Sequence, residues 1–228
     1  MSFNFTYSKL KNSELCPKKY YEVDVAKHYK DGGEQLMYGI KVHDAMKDAI
    51  KKGKPLPDSF IDYLPWVEWA RKLPGEHLVE NKWALSRLCN PTEYFGPRVW
   101  LRLHGDFIAL NPPVAILVDW KTGKPLEDPV QLELSALCLF AHHPDVHAVQ
   151  TMFVWLKECT GNWAYDYDKR TDLRVTRAQI PDLWAKVMPR AAELEKRHRE
   201  MDFPPKPGRS CKWCPVQSCP FNGDDHSR

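Results

Sequence analysis

The sequence predicts an α/β fold of the α+β kind, a mixed central sheet flanked by helices, and three observations predict it. An apolar stripe at helical spacing early in the chain gives way near His77 to two-residue alternation; a strongly apolar stretch of helical length follows; alternation then returns ahead of a last, basic helix. With 228 residues, 43% of them apolar, the chain can bury a core without disulfides, and two large independent domains are not expected.

Ser8 is placed to cap a first helix that runs from Lys9 through Cys16-Pro17-Lys18-Lys19-Tyr20-Tyr21. Residues 34 to about 52 read as a second, with Ile40, His43, Ala45, Met46 and Ile50 on its stripe and Gly53 and Pro55 as stops. The stretch to Pro74 is broken by prolines around a short aromatic helix at Trp66 to Trp69, and reads as an insertion or lid. Leu78 to Leu85, Arg98 to Leu110 and Val114 to Lys121 form an antiparallel meander, with Asn111-Pro112-Pro113 turning between the last two. Alternation puts Arg102, His104, Asp106 and Ile108 on one face of the middle strand and Leu101, Leu103 and Gly105 on the other. Pro129 to about His142 is the apolar helix. Strands at Ala148 to Lys157 and Trp163 to Asp168 follow, joined by Gly161-Asn162, and Ala178 to about Met201 is helical.

The formal charge of +3 hides an uneven distribution. Residues 1 to 54 and 186 to 213 each carry an excess of four basic side chains, which leaves −5 for the rest. Two basic ends flanking an acidic middle suit an enzyme that acts on a polyanion through a carboxylate centre; solvated helix faces give the same pattern. No run has the length of a membrane span and the amino terminus has no apolar signal core, so a soluble, cytoplasmic protein with no membrane partner is expected.

Asp119 and Lys121 share one face of the third meander strand, and pairing through the Asn-Pro-Pro turn would bring Asp106 towards Asp119. Two carboxylates beside a lysine supply oxygen ligands for a hard divalent ion and a cation to orient a water nucleophile. The acidic-x-Lys pattern is common by itself, and Glu80-Asn81-Lys82 is a second instance. Seven cysteines are an odd number for a disulfide framework. Cys138 and Cys159 lie in apolar runs as small buried hydrophobes, whereas Cys211-Lys-Trp-Cys214-Pro-Val-Gln-Ser-Cys219 concentrates three thiols in a stretch with few other means of ordering itself, which favours metal ligation.

The order of motifs resembles the PD-(D/E)XK nucleases, in particular the RecB-like branch that includes CRISPR-associated iron-sulphur exonucleases and phage relatives. A Ser-x-Leu segment leads into Cys16-Pro-Lys-Lys-Tyr20-Tyr21, followed by Gly39-Ile-Lys-Val-His43 and by Glu80-Asn-Lys-Trp83. Asp106 then stands thirteen residues ahead of Asp119-Trp-Lys121-Thr-Gly123-Lys124, and Val118 to Lys124 is close to a family signature. The resemblance implies a restriction-endonuclease-like core over the single domain 1–228, with 1–33 and 203–228 joined as a cysteine-ligated lobe.

It further implies that Asp106, Asp119 and the Trp120 carbonyl ligate a catalytic Mg²⁺ or Mn²⁺, with His43 as the ligand that favours Mn²⁺ and Glu80 as a further ligand or the holder of a water on the ion. Lys121 would orient the water and stabilise phosphate charge. Gln131 matches the first residue of the family's Gln-x-x-x-Tyr motif, whose tyrosine is replaced by Ser135, and Gly105 departs from the usual branched residue, which predicts a local bulge. Cys16 would complete a 4Fe-4S cluster with Cys211, Cys214 and Cys219; zinc, with His226 or Cys89 in fourth place, is the alternative. The cluster would staple the two chain ends, with Trp213 as its shield. DNA, as single strands or duplex ends, would lie along Lys9, Lys11, Lys18, Lys19, Arg197, Arg199, Lys206 and Arg209, with Tyr20, Tyr21, Trp66 and Trp69 stacking on bases. The implied activity is exonucleolytic, in recombination, repair or phage or CRISPR DNA processing with recombination or CRISPR partner proteins. The competing expectation is a catalytically idle nuclease fold that binds DNA or a recombination partner and carries a zinc staple.

Overall fold

The computed structural model describes residues 3–30, 32–124, 128–158 and 173–226, in two compact units. One comprises residues 33–183; the other joins 1–32 to 184–228. The expected strand at Trp163 to Asp168, its turn, and Cys159 lie outside the described residues.

In the larger unit, α3 spans Glu34–Lys52, as its stripe and stop signals predict. Gly53 closes it at φ 72°, the left-handed conformation that a residue without Cβ adopts at little cost. The sheet has five strands in the order β1-β2-β3-β4-β5: Glu76–Leu85, Leu101–Asn111, Val114–Lys121, Ala148–Trp155 and Leu173–Thr176. The first three are the predicted antiparallel meander. β4 then runs parallel to β3, because α5 (Pro129–His142) carries the chain back across the sheet between them, and β5 pairs antiparallel with β4. The mixed sheet flanked by helices is thus the fold the sequence predicts. Asp128 caps α5 by accepting the Val130 N–H at 3.3 Å, and Pro129 fills the first turn, where no N–H is needed.

The core on the α3 side joins Val42, Met46 and Ala49 to Phe107, Val118, Trp120, Met152 and Leu156. Leu56, Phe60, Tyr63, Val67 and Ala70 belong to the same core, so the stretch predicted as an insertion or lid is instead structural. A 3₁₀ turn, Asp58–Tyr63, leads into α4, Leu64–Lys72; the turn buries Phe60 and Tyr63 and leaves Ile61 exposed, and α4 buries Val67 and Ala70. Between α4 and β1, Gly75 sits at φ 97°, where a Cβ would lie 2.2 Å from the Leu110 carbonyl oxygen.

In the terminal unit, α1 (Tyr7–Leu15) is capped not by Ser8 but by Thr6, whose hydroxyl accepts the Lys9 N–H at 3.2 Å. The predicted continuous first helix breaks at Cys16, which is extended; α2 (Pro17–Tyr20) restarts from it and runs into a π turn, Tyr21–Val25. The two ends of the chain meet here. The Arg190 guanidinium, from α6 (Ile180–Glu200), donates to both Glu14 carboxylate oxygens at 2.6 and 2.7 Å. Tyr21 stacks on Phe203 with ring centroids 4.8 Å apart. Among the described residues no helix is long and apolar enough to cross a membrane.

Candidate active site

α3 delivers His43 to the sheet, where its Nδ1 lies 3.4 Å from an Asp106 oxygen of β2 and 3.8 Å from a Glu80 oxygen of β1. The other Glu80 oxygen lies 3.0 Å from Nε2 of His104. A second cluster adjoins it at the end of β3. There the Lys121 ammonium pairs with Asp119 at 2.7 Å and donates to the Gln131 side-chain oxygen at 2.9 Å, while the Gln131 amide donates to the other Asp119 oxygen. The Trp120 N–H donates to Asp106 at 2.8 Å and links the two clusters.

Strand irregularity creates this arrangement. A Cβ on Gly105 would lie 3.0 Å from the tip of Ile108, so these two share a face and the alternation of β2 slips between them. Asp106 reaches His43 while its neighbour Phe107 packs in the α3-side core, so both turn to α3. On β1 the facing pair behaves alike: Val79 packs against the core and Glu80, at φ 54°, still points to His43 and His104. The ladder pairs Val79 with Phe107 and Asn81 with Gly105 and is interrupted between them. The prediction that Ile108 shares the Asp106 face is therefore corrected, and the irregularity expected at Gly105 falls one step on and involves both strands. The ladder from β2 to β3 also ends at Phe107 and Val118; beyond it the Trp120 N–H is satisfied by the Asp106 carboxylate.

Packing three carboxylates and two imidazoles together sets their proton affinities. Burial by itself would lower the His43 pKa, but bonds to Asp106 and Glu80 and the charges of Asp106 and Asp119 prevail and push it up to about 10. Burial opposes the shift at Glu80 as well, where His104 and His43 hold the carboxyl down at about 2. Asp119 is pushed up to about 6 by burial and then by Asp106, against the pull of Lys121. The centre thus carries excess negative charge that a proton on His43 partly neutralises.

A divalent cation meets the same need. One donor atom each from His43, Glu80 and Asp106 fall within 4.8 Å of one another, and no other such group of His, Cys, Asp or Glu exists among the described residues. An imidazole beside two carboxylates fits an ion of Mn²⁺ or Mg²⁺ type. Asp119 stands next to this group, with both oxygens engaged by Lys121 and Gln131.

Residues 101–220 match the PD-(D/E)XK nuclease superfamily. The chain belongs to that superfamily. Among solved structures, the crystal structure of SSO0001 aligns with a TM-score of 0.43 at 13% identity, over 97% of this chain and 88% of that one. The structure of a candidate exonuclease from Eubacterium rectale aligns with a TM-score of 0.47 at 14% identity, over 85% and 81%. No curated protein matches.

Of the nuclease residues predicted from sequence, His43, Glu80, Asp106, Asp119, Trp120, Lys121 and Gln131 fall at this one centre. Ser135 is buried, and its hydroxyl donates to the Gln131 carbonyl, so it holds its own helix. His104 was placed on the Asp106 face by alternation but without a role; its position two residues before Asp106 is the signal that it reaches Glu80.

The remaining predicted residues lie in the terminal unit, apart from the two tryptophans and Cys89, the alternative zinc ligand, which belongs to the larger unit and does not line the cysteine pocket. Cys16, Cys211, Cys214 and Cys219 line one pocket together with Lys18 and Lys19. Burial raises the Cys214 thiol, Cys16 and Cys211 raise it further, and Lys19 opposes them. Trp213 is 74% exposed, which corrects its expected role as a shield. Tyr20 is 1% exposed, and its hydroxyl lies 2.5 Å from Nε2 of His198, so it has no free ring face for a base. Tyr21 stacks on Phe203, and Trp66 and Trp69 pack against the core of the larger unit. Lys18 pairs with Glu22 at 3.9 Å, Arg197 with Glu193 at 2.9 Å and Arg199 with Glu200 at 3.3 Å.

Proposed function

We propose that this chain is a Mg²⁺- or Mn²⁺-dependent deoxyribonuclease that hydrolyses DNA phosphodiesters from strand ends, in recombination, repair or phage or CRISPR DNA processing. The observation that carries the reading is the meeting of His43, Glu80 and Asp106 within 4.8 Å beside an Asp119 and Lys121 pair. His43, Glu80 and Asp106 would hold the ion, with Asp119 and the Trp120 carbonyl adjoining. When bound, such an ion polarises the phosphate and makes a water nucleophilic near neutral pH. Lys121 puts its ammonium where negative charge builds on the phosphate, and Gln131 and Asp119 fix its direction.

The four pocket cysteines are proposed to hold a 4Fe-4S cluster. Together they supply the four thiolates that such a cluster requires, Cys16 from the amino-terminal segment and three from the carboxy-terminal one, and zinc is the alternative occupant. Lys18, Lys19, Arg197 and Arg199 are proposed to contact DNA phosphates in a sequence-independent manner.

The test is incubation of the purified protein with end-labelled single- and double-stranded DNA and Mg²⁺ or Mn²⁺, beside Asp119→Ala and Lys121→Ala. Progressive loss of terminal nucleotides by the wild type alone is expected; intact DNA in every condition, or equal cutting by the variants, overturns the assignment. An anaerobic preparation with bound iron and absorbance near 400 nm supports the cluster. Stoichiometric zinc without iron rejects it.

A further inference from the structure

The face of the sheet that carries Glu80 and Asp106 continues outward past His43. The next cross-strand pair on it is Lys82 and His104, both exposed, and two residues further along β2 comes Arg102. The loop between β1 and β2 folds an aromatic pair over these cations. The Lys82 ammonium lies 5.7 Å from the Tyr94 ring centre, and the Arg102 guanidinium 5.5 Å from the rings of both Tyr94 and Phe95. The Arg102 Nε–H also donates to the Tyr94 carbonyl at 2.8 Å, and the two rings meet edge to face at 4.9 Å. Among the described residues neither Lys82 nor Arg102 has a carboxylate partner.

Phe95 is 80% exposed although its neighbours hold the loop. Backbone bonds from Thr92 to Ala84 and from Trp100 to Leu85, with Arg102 donating to the Tyr94 carbonyl, anchor the loop, so the exposed Phe95 ring is not needed for that purpose. An open aromatic face backed by a guanidinium, with a second cation two strand residues nearer the carboxylates, is what a flexible polyanion bearing π faces requires. The spacing agrees. Side chains on one strand face repeat about every 6.7 Å, comparable to one nucleotide of an extended strand, so Asp106, His104 and Arg102 mark successive nucleotide steps.

We infer that Lys82, Arg102, Tyr94 and Phe95 form a track for single-stranded nucleic acid that leads to the carboxylate centre, with Lys82 and Arg102 on phosphates and Phe95 stacked on an unpaired base. The inference rests on the nuclease reading above for the direction in which the track points. It makes the substrate near the scissile bond unpaired, because the ring can meet a base face only where the partner strand is absent.

Fluorescence anisotropy with labelled dT12 in EDTA, where no cutting occurs, tests the track, with Mn²⁺ affinity measured calorimetrically on the same proteins. Phe95→Ala is expected to weaken dT12 binding roughly tenfold, to leave binding of a 12-base-pair duplex within twofold, and to leave Mn²⁺ affinity unchanged. Phe95→Trp keeps the affinity, since any π face serves. Lys82→Gln lowers the slope of log affinity against log salt by about 0.7, the share of one phosphate contact on a single strand. Wild-type affinity and slope in these variants, equal losses on duplex and single strand, or a wild type that does not bind dT12 each overturn the track. A wild type that binds dT12 through Phe95 but neither binds Mn²⁺ nor cuts sustains the track and overturns the nuclease reading.

Discussion

The carboxylate centre and the cysteine pocket are both candidate metal sites, yet they are assembled by different means. His43, Glu80 and Asp106 come from three elements whose positions are fixed by core side chains one residue away: Val42, Val79 and Phe107. The ligand geometry therefore exists before any ion arrives, and the charge it concentrates is borne by hydrogen bonds and by a proton on His43. In the pocket, three of the four thiols lie within nine residues of one short segment, and the terminal unit around them is held by few elements: α1, α2, part of α6, and aromatic contacts at Tyr20, Tyr21 and Phe203. The difference teaches that a core can preorganise ligands for an exchangeable ion, whereas a thiolate site in a loop-rich segment would derive its order from a metal if one is bound.

The largest expected effect breaks the first half of that comparison. Lys121→Ala and Asp119→Ala should each lower the cleavage rate by on the order of 10²–10³-fold, with an unchanged urea midpoint; a matching fall in stability would mean that these residues hold the fold instead. Phe107→Ala should cost about 3–5 kcal/mol of unfolding free energy and abolish Mn²⁺ binding along with it, since the core residue sets the direction of Asp106. In the other half, Cys214→Ser should release the metal and leave residues 1–32 and 184–228 open to limited proteolysis, while residues 33–183 stay resistant. Loss of resistance in both regions at once would refute the contrast.

His104→Ala should weaken Mn²⁺ binding about tenfold by freeing Glu80, with partial recovery in His104→Asn. A further effect is on pH. In EDTA, the folded state raises the His43 pKa above its ordinary 6.5 to about 10. Stability from this group is therefore complete below about 6.5 and is lost as pH rises towards 10. Denaturant titrations across that window should show wild type losing stability relative to His43→Gln; parallel curves would mean that the carboxylates do not protonate His43.

Local chemistry made much of the molecule legible in the sequence. Gly53 ends α3 because only a residue without Cβ enters the left-handed region freely, and Pro129 begins α5 because its missing N–H is not needed there. The order and spacing of Glu80, Asp106, Asp119 and Lys121 pointed to the centre only through their resemblance to a family, since the acidic-x-Lys pattern alone is common. At two places where the sequence reading failed, a contact between distant residues had decided the matter. The segment with Phe60, Tyr63 and Val67 has the prolines of a surface insertion, and only the apolar surface offered by Val42, Phe107 and Trp120 makes it core. Tyr20 has the composition of a base platform, and His198, 178 residues away, takes its hydroxyl.

The sequence by itself determined most of the elements, because capping and alternation are written in near neighbours, and its resemblance to a family named the residues to expect at the centre. The tertiary structure alone decided that Asp106 and Phe107 face the same way, that Glu80 sits between two histidines, and that Lys82 pairs across the ladder with His104. These depend on two strands slipping in step, and an energy shared between strands cannot be read from either one.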